Sequence, residues 1–192
     1  MKTIKPGAFT LDNIFSLAEC TAMIEQAEQI GFAPATVSIA GGAQAMPGVR
    51  NNDRVKLTDP QLASQLWQRL EPLIPAQLED WQALRLNEQF AVYRYDPGQR
   101  FKRHQDGVVK TQAGEESRFT VLIYLNDDCD GGQTVFSDVD RTGSQIRFIE
   151  SSVQPQPGMA LVFQHELWHE GAAVTRGRKY VLRTDVLYQR KA

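Results

Sequence analysis

The apolar positions of the chain change their spacing near residue 88. Before that point they recur at helical intervals; after it they alternate, or gather into runs too short for a helix. Leu17, Met23, Ile24, Ala27 and Ile30 share one helical stripe. Ser16 and Glu19 have the form of a capping box in front of it, and Gly31 closes it, which predicts an amphipathic helix over 16–30. A second helix is predicted from Pro60, behind an Asp59 cap, to about Leu70, with Leu62, Leu66, Trp67 and Leu70 on its stripe. Between the two, a short strand is expected at 36–39, a loop at 41–48, and a polar segment at 50–54 leading into the second helix. Residues 73–81, broken by Pro72 and Pro75, read as helical or irregular.

Downstream, β-patterned runs fall at 90–95, 100–104, 119–125, 134–136, 146–149, 159–163, 168–174 and 179–188. Turn signals separate them at Asp96-Pro97-Gly98, 126–132, Arg141-Thr142-Gly143, Pro157-Gly158 and Arg176-Gly177. About eight short strands after two helices suggest an α+β, mainly β fold. Its expected form is a jelly roll, a double-stranded β-helix, with the N-terminal helices packed outside.

With 192 residues the chain suits one domain over 1–192, burying roughly 70% of its unfolded surface. Within it, 1–87 reads as helical support and a substrate-side segment, and 88–188 as the barrel. A net charge of −2 with mixed signs offers no footprint for nucleic acid or an anionic membrane. No apolar run approaches the roughly 20 residues of a membrane span, and the N-terminus lacks a secretory core. A cytoplasmic protein is expected. Cys20 and Cys129 do not suggest a disulfide framework, and nothing bears on the oligomeric state.

The chemistry lies in the histidines, of which there are three. His104 and Asp106 are expected on one face of one strand, because alternate strand residues point the same way. They would form part of a facial triad if His165 or His169, about sixty residues on, completed it. A pair of the type H-x-D, alone, is more often an exposed strand pair or a local hydrogen bond than a metal site. His165-Glu166-Leu167-Trp168-His169 is also literally HExxH, the zinc metalloprotease signature, which needs a helix. Here it follows a strand-like run and is closed by Gly171, which argues against that reading without removing it.

The order of Tyr95, Pro97-Gly98, Phe101, His104, Asp106, Tyr124-Leu125-Asn126, Gly131-Gly132, Thr134, Phe136, Pro157-Gly158, His169, Gly171, Gly177 and Lys179 resembles the prolyl 4-hydroxylase-type family of Fe(II)/2-oxoglutarate dioxygenases. The resemblance spans about 88–188. It implies a double-stranded β-helix in which His104, Asp106 and His169 bind Fe(II) and serve as the catalytic centre. The cosubstrates implied are 2-oxoglutarate and O2, with L-ascorbate as reductant by family analogy.

It further implies hydroxylation of an unactivated C–H bond with release of succinate and CO2. The prime substrate would be a prolyl residue of a peptide or protein, or a small molecule. An intact Asp106 sets the chain apart from the iron halogenases of this fold, which lack the carboxylate.

For the far carboxylate of 2-oxoglutarate the family position falls on Lys179, ten residues after His169. Arg183, four further on and on the same strand face, competes with it. Tyr124 matches a family tyrosine that helps hold the cosubstrate, or simply packs in its apolar strand, and Tyr95 lies near the same pocket. Trp168 is expected in the core. The segment 50–54 is either a solvated loop or part of a substrate rim with 41–48 and 107–117. A metal-binding jelly roll without catalysis stays open beside the oxygenase and the metalloprotease.

Overall fold

The long strand Lys179–Arg190 is the axis of the molecule. In the computed structural model, which describes residues 1–39, 42–140 and 147–191, it pairs antiparallel with Glu116–Tyr124 on one side and with Gln89–Tyr95 and Trp81–Leu86 on the other. The sheet continues outward from Glu116–Tyr124 through Ala160–Gln164 and Ala8–Leu11 to Lys2–Lys5. From Gln89–Tyr95 it continues through Asp53–Thr58 to Ala33–Pro34. A second sheet runs Phe101–His104, His169–Gly171, Thr134–Asp140, Arg147–Val153.

Period-two alternation divides the large sheet into two faces. Phe90, Val92, Val121, Ile123, Val162, Leu182 and Val186 form one core with Cys20, Met23 and Ala27 of α1 (Leu17–Ile30) and Ala63, Leu66 and Leu70 of α2 (Pro60–Leu70). The alternate residues Tyr124, Leu161, Phe163 and Val181 turn inward to meet Phe136 and Val153 of the small sheet. This is the expected jelly roll with helices outside. No helix among the described residues is long and apolar enough to cross a membrane.

Both helices start where their caps predict. Ser16 and Glu19 exchange a complete capping box, and the Asp59 carboxylate accepts from the Leu62 amide at 2.8 Å. Leu17 and Ile30, expected on the buried stripe of α1, are exposed, because they lie on the flanks of the arc set by residues 20, 23 and 27.

The first 87 residues do more than support. The hairpin Lys2–Lys5/Ala8–Leu11, the strand Asp53–Thr58 within and beyond the expected polar segment, and Trp81–Leu86 after the expected irregular piece all join the large sheet. The expected 168–174 strand is two strands, His169–Gly171 in the small sheet and Val174–Gly177 paired with Cys129–Gly131. Trp168 is not in the core: it is 41% exposed, with the Arg103 guanidinium 4.3 Å from its ring. The expected turn at 141–143, Gly41 and Ile146 lie outside the described residues.

Candidate active site

His104 and His169 are cross-strand partners in the small sheet, so their imidazoles lie against each other, ring centres 4.2 Å apart. Each ring is fixed by its own backbone. The Nδ1 of His104 is 2.8 Å from the Lys102 carbonyl, and that of His169 is 2.9 Å from the Leu167 carbonyl. A carbonyl only accepts, so each Nδ1 carries the proton and each Nε2 presents a lone pair to a common point. Phe101 stacks on the His104 ring at 3.5 Å, and Phe163 meets the His169 ring edge-on at 4.5 Å.

Asp106 is not on the His104 strand as expected, since that strand ends at His104. It stands in the following extended segment, whose amide donates to the His165 carbonyl at 3.1 Å. Its Oδ1 is 3.7 Å from His104 Nε2 and its Oδ2 3.8 Å from His169 Nε2. Two bonds of about 2.1 Å to one ion span up to about 4.2 Å, so the three donors fit a single metal. They form the one three-residue metal-competent group among the described residues.

The remaining bonds of Asp106 come from the large sheet. Thr120 donates to Oδ2 at 2.6 Å, and an Arg183 Nη2 lies 3.3 Å from Oδ1 and 3.1 Å from the Asp185 carboxylate. Burial alone would raise the Asp106 pKa, but Arg183 and the two imidazoles hold it below the usual carboxylate range. Burial, reinforced by His169, brings His104 down to about 4, and burial lowers His169 as well, which keeps both rings neutral and free to ligate near neutral pH.

A pocket extends from the three donors between the sheets, lined by Tyr93, Tyr95, Leu122, Thr134, Val181 and Lys179. Lys179 is 3% exposed and has no carboxylate partner among the described residues. Its ammonium donates to the Gly132 carbonyl at 2.5 Å and lies 5.2 and 5.4 Å from the Tyr95 and Tyr124 rings. Burial pushes its pKa down to about 8. Tyr124 is fully buried and shares a 2.7 Å hydrogen bond with Thr134; Tyr95 is 5% exposed, and burial pushes its phenol up to about 12.

Residues 89–184, half of the chain, match the family model described as the 2OG-Fe(II) oxygenase superfamily. The chain belongs to this superfamily. The oxygenase is 25% identical over 199 residues to probable prolyl 4-hydroxylase 3 of Arabidopsis thaliana, covering 92% of this chain and 67% of that protein. It shares its fold with a Pseudomonas putida prolyl-4-hydroxylase (TM-score 0.64, 19% identity, 94% of this chain and 92% of that one). A Trichoplax adhaerens prolyl hydroxylase, solved with a hypoxia inducible factor peptide fragment, is equally similar in fold (TM-score 0.66, 18% identity, 94% and 83%). The protein is thus a prolyl 4-hydroxylase-like enzyme dependent on Fe(II), 2-oxoglutarate and O2.

The HExxH alternative fails on geometry. Strand Ala160–Gln164, a turn and strand His169–Gly171 replace the required helix, and His165 is buried beside Asp185 at 3.5 Å, outside the metal-competent group. Sequence reading missed Thr120 and the Arg183–Asp106 pair. Thr120 was findable, because it is the polar member of an inward face shared with Leu122 and Tyr124. The Arg183–Asp106 pairing was not, since Asp106 lies almost eighty residues earlier in the chain; only the Asp185 partner is local, two residues on in the same strand.

Proposed function

We propose that this oxygenase hydroxylates a prolyl residue of a peptide or protein, with His104, Asp106 and His169 holding the iron and Lys179 holding the far carboxylate of 2-oxoglutarate. The observation that carries the reading is one pocket lined both by the three metal-competent donors and by a buried ammonium with no carboxylate partner among the described residues. The kind of substrate is supported by the peptide-bound Trichoplax neighbour and by the prolyl 4-hydroxylase relatives.

When bound, iron would let O2 oxidise 2-oxoglutarate to succinate and CO2 and hydroxylate the C–H bond, one oxygen atom going to each product, with ascorbate as reductant by analogy. The chain's own groups prepare the site. The carbonyls of Lys102 and Leu167 fix both imidazole tautomers. Thr120 and Arg183 hold the Asp106 carboxylate ionised and oriented. Leu122 and Val181 keep the pocket walls dry. The carboxylate of 2-oxoglutarate gives Lys179 the counter-charge that it lacks, with Tyr124 and Tyr95 beside it. Arg183 is already neutralised by Asp106 and Asp185, which ranks it below Lys179 as the cosubstrate cation and makes it a positioning residue. The same reading takes 1–192 as one domain, since strands from both halves interleave in the large sheet.

The test is anaerobic addition of Fe(II) and 2-oxoglutarate, followed by the weak visible absorption of the assembled site. The wild type should show the band, and His104→Ala and Asp106→Ala should abolish it. An unchanged band in either variant refutes the ligand set.

A further inference from the structure

We propose that the cleft beside the metal site, walled by Arg54, Lys56, Tyr93 and Arg183, binds a carboxylate of the prime substrate, so that this enzyme selects acidic substrates. The proposal rests on the substrate side of the function given above and names a chemical requirement within it.

The cleft adjoins the cosubstrate pocket. The two share Tyr93 and Arg183 as a common wall, and the cleft also includes Gly107, the residue after Asp106. Its floor includes Asp53–Thr58, the last strand but one of the large sheet. Arg54 pairs in register with Tyr93, and Lys56 with Ala91, which pairs with Arg183, so alternation brings three cations onto one inward face. Asp185 is the only carboxylate in the lining, and Arg183 already takes it.

Arg50 adds a further charge behind this wall. It is 5% exposed, with its guanidinium carbon 4.5 Å from the Tyr93 ring centre and 4.4 Å from that of Phe101. Its Nε donates to Asn52, but its Nη2 is buried without a hydrogen-bond partner. Neither Arg50 nor Arg54 has a carboxylate within ion-pair distance among the described residues; Arg54 bonds the Thr36 hydroxyl at 2.7 Å. Burial, with repulsion from Arg50 and Arg183, lowers the Arg54 pKa.

A charge count shows that the cosubstrate does not use these groups. The two positive charges of Fe(II) and the one of Lys179 balance Asp106 and the dianionic 2-oxoglutarate, and Asp185 balances Arg183. Arg50 and Arg54 remain uncompensated next to where the substrate must enter. Buried and half-buried guanidiniums crowded together are costly unless an anion joins them, and a planar carboxylate matches their donor geometry.

The test uses protein loaded with Mn(II) and 2-oxoglutarate, so that the cosubstrate pocket is filled and no turnover occurs. Proline peptides are compared in matched pairs: aspartate against asparagine beside the proline, and a free C-terminal carboxylate against its amide. Binding next to the metal is read from broadening of the peptide protons by Mn(II). The acid member of at least one pair should bind tenfold or more tightly than its neutral partner, and the advantage should shrink to under twofold in Arg54→Gln and in Lys56→Gln.

Preference within the first pair assigns the anion to an acidic side chain, and within the second to a free α-carboxylate. Equal binding in both pairs, or a preference that survives both substitutions in folded protein, overturns the proposal. Broadening of the 2-oxoglutarate protons themselves reports separately on the metal and cosubstrate reading. If that fails, calorimetric titration of the same pairs into metal-free protein still decides the cleft.

Discussion

Replacing Lys179 by methionine should lower cosubstrate affinity without lowering stability. The lysine is 3% exposed, and its fall from the ordinary 10.5 to about 8 corresponds to about 3 kcal/mol of unfavourable burial of the charge. Methionine keeps the length and apolar stem and removes that cost, but orphans the Gly132 carbonyl, a loss of about 1–3 kcal/mol. At pH 7 the metal-free variant should therefore range from equal to the wild type to about 2 kcal/mol more stable.

The pH dependence isolates the charge. Below about 8 the lysine is protonated in both folded and unfolded chains and bears the full cost; above 10.5 it is neutral in both and bears none. Wild-type stability should thus rise relative to Lys179→Met by about 3 kcal/mol between pH 7 and 11. Urea denaturation of both proteins across this range measures the difference, which cancels every other titrating group. The 2-oxoglutarate dissociation constant should rise tenfold or more in the variant, within the about 2–5 kcal/mol of a broken buried charge pair. In the wild type, binding at pH 9 should take up protons, visible by calorimetry in buffers of different ionisation enthalpy. A flat stability difference together with unchanged 2-oxoglutarate binding would refute the reasoning.

Arg183→Leu should change 2-oxoglutarate affinity less than threefold. Because it leaves Asp106 and Asp185 without their shared cation, Mn(II) should raise the melting temperature of this variant more than that of the wild type. Glu166→Gln should leave 2-oxoglutarate-dependent succinate release within twofold of wild type, since Glu166 is exposed and serves no zinc; a tenfold loss would reopen the HExxH reading. Gly158→Ala should cost at least about 2 kcal/mol in urea denaturation. Gly158 has φ +78°, and an added Cβ would stand 2.1 Å from the Phe15 carbonyl oxygen.

The convergence of His104, Asp106 and His169, and the place of Lys179 in the same pocket, were legible because the chemistry demands particular side chains, and the barrel order puts them at recognisable intervals. The helix starts were legible because caps are local. Asp53–Thr58 was not read as a strand, since its inward face carries Arg54 and Lys56 toward a cleft instead of a core, so the apolar signal is halved to Val55 and Leu57. Trp168 misled for the opposite reason: a large apolar residue next to His169 is 41% exposed, with the Arg103 guanidinium against its ring. The division of labour around Asp106, between a main-chain bond donated to the His165 carbonyl and side chains on the large sheet, depends on the closure of the two layers. No local pattern announces it.

The strand Asp53–Thr58 is joined to Gln89–Tyr95 through main-chain hydrogen bonds in unbroken register. Its inward side chains can therefore be exchanged while the ladder that carries them stays intact. Arg54 and Lys56 form, in effect, a replaceable selectivity strip at the border of an otherwise fixed catalytic vessel. Recoding that strip offers a route to enzymes of altered appetite with the same iron chemistry.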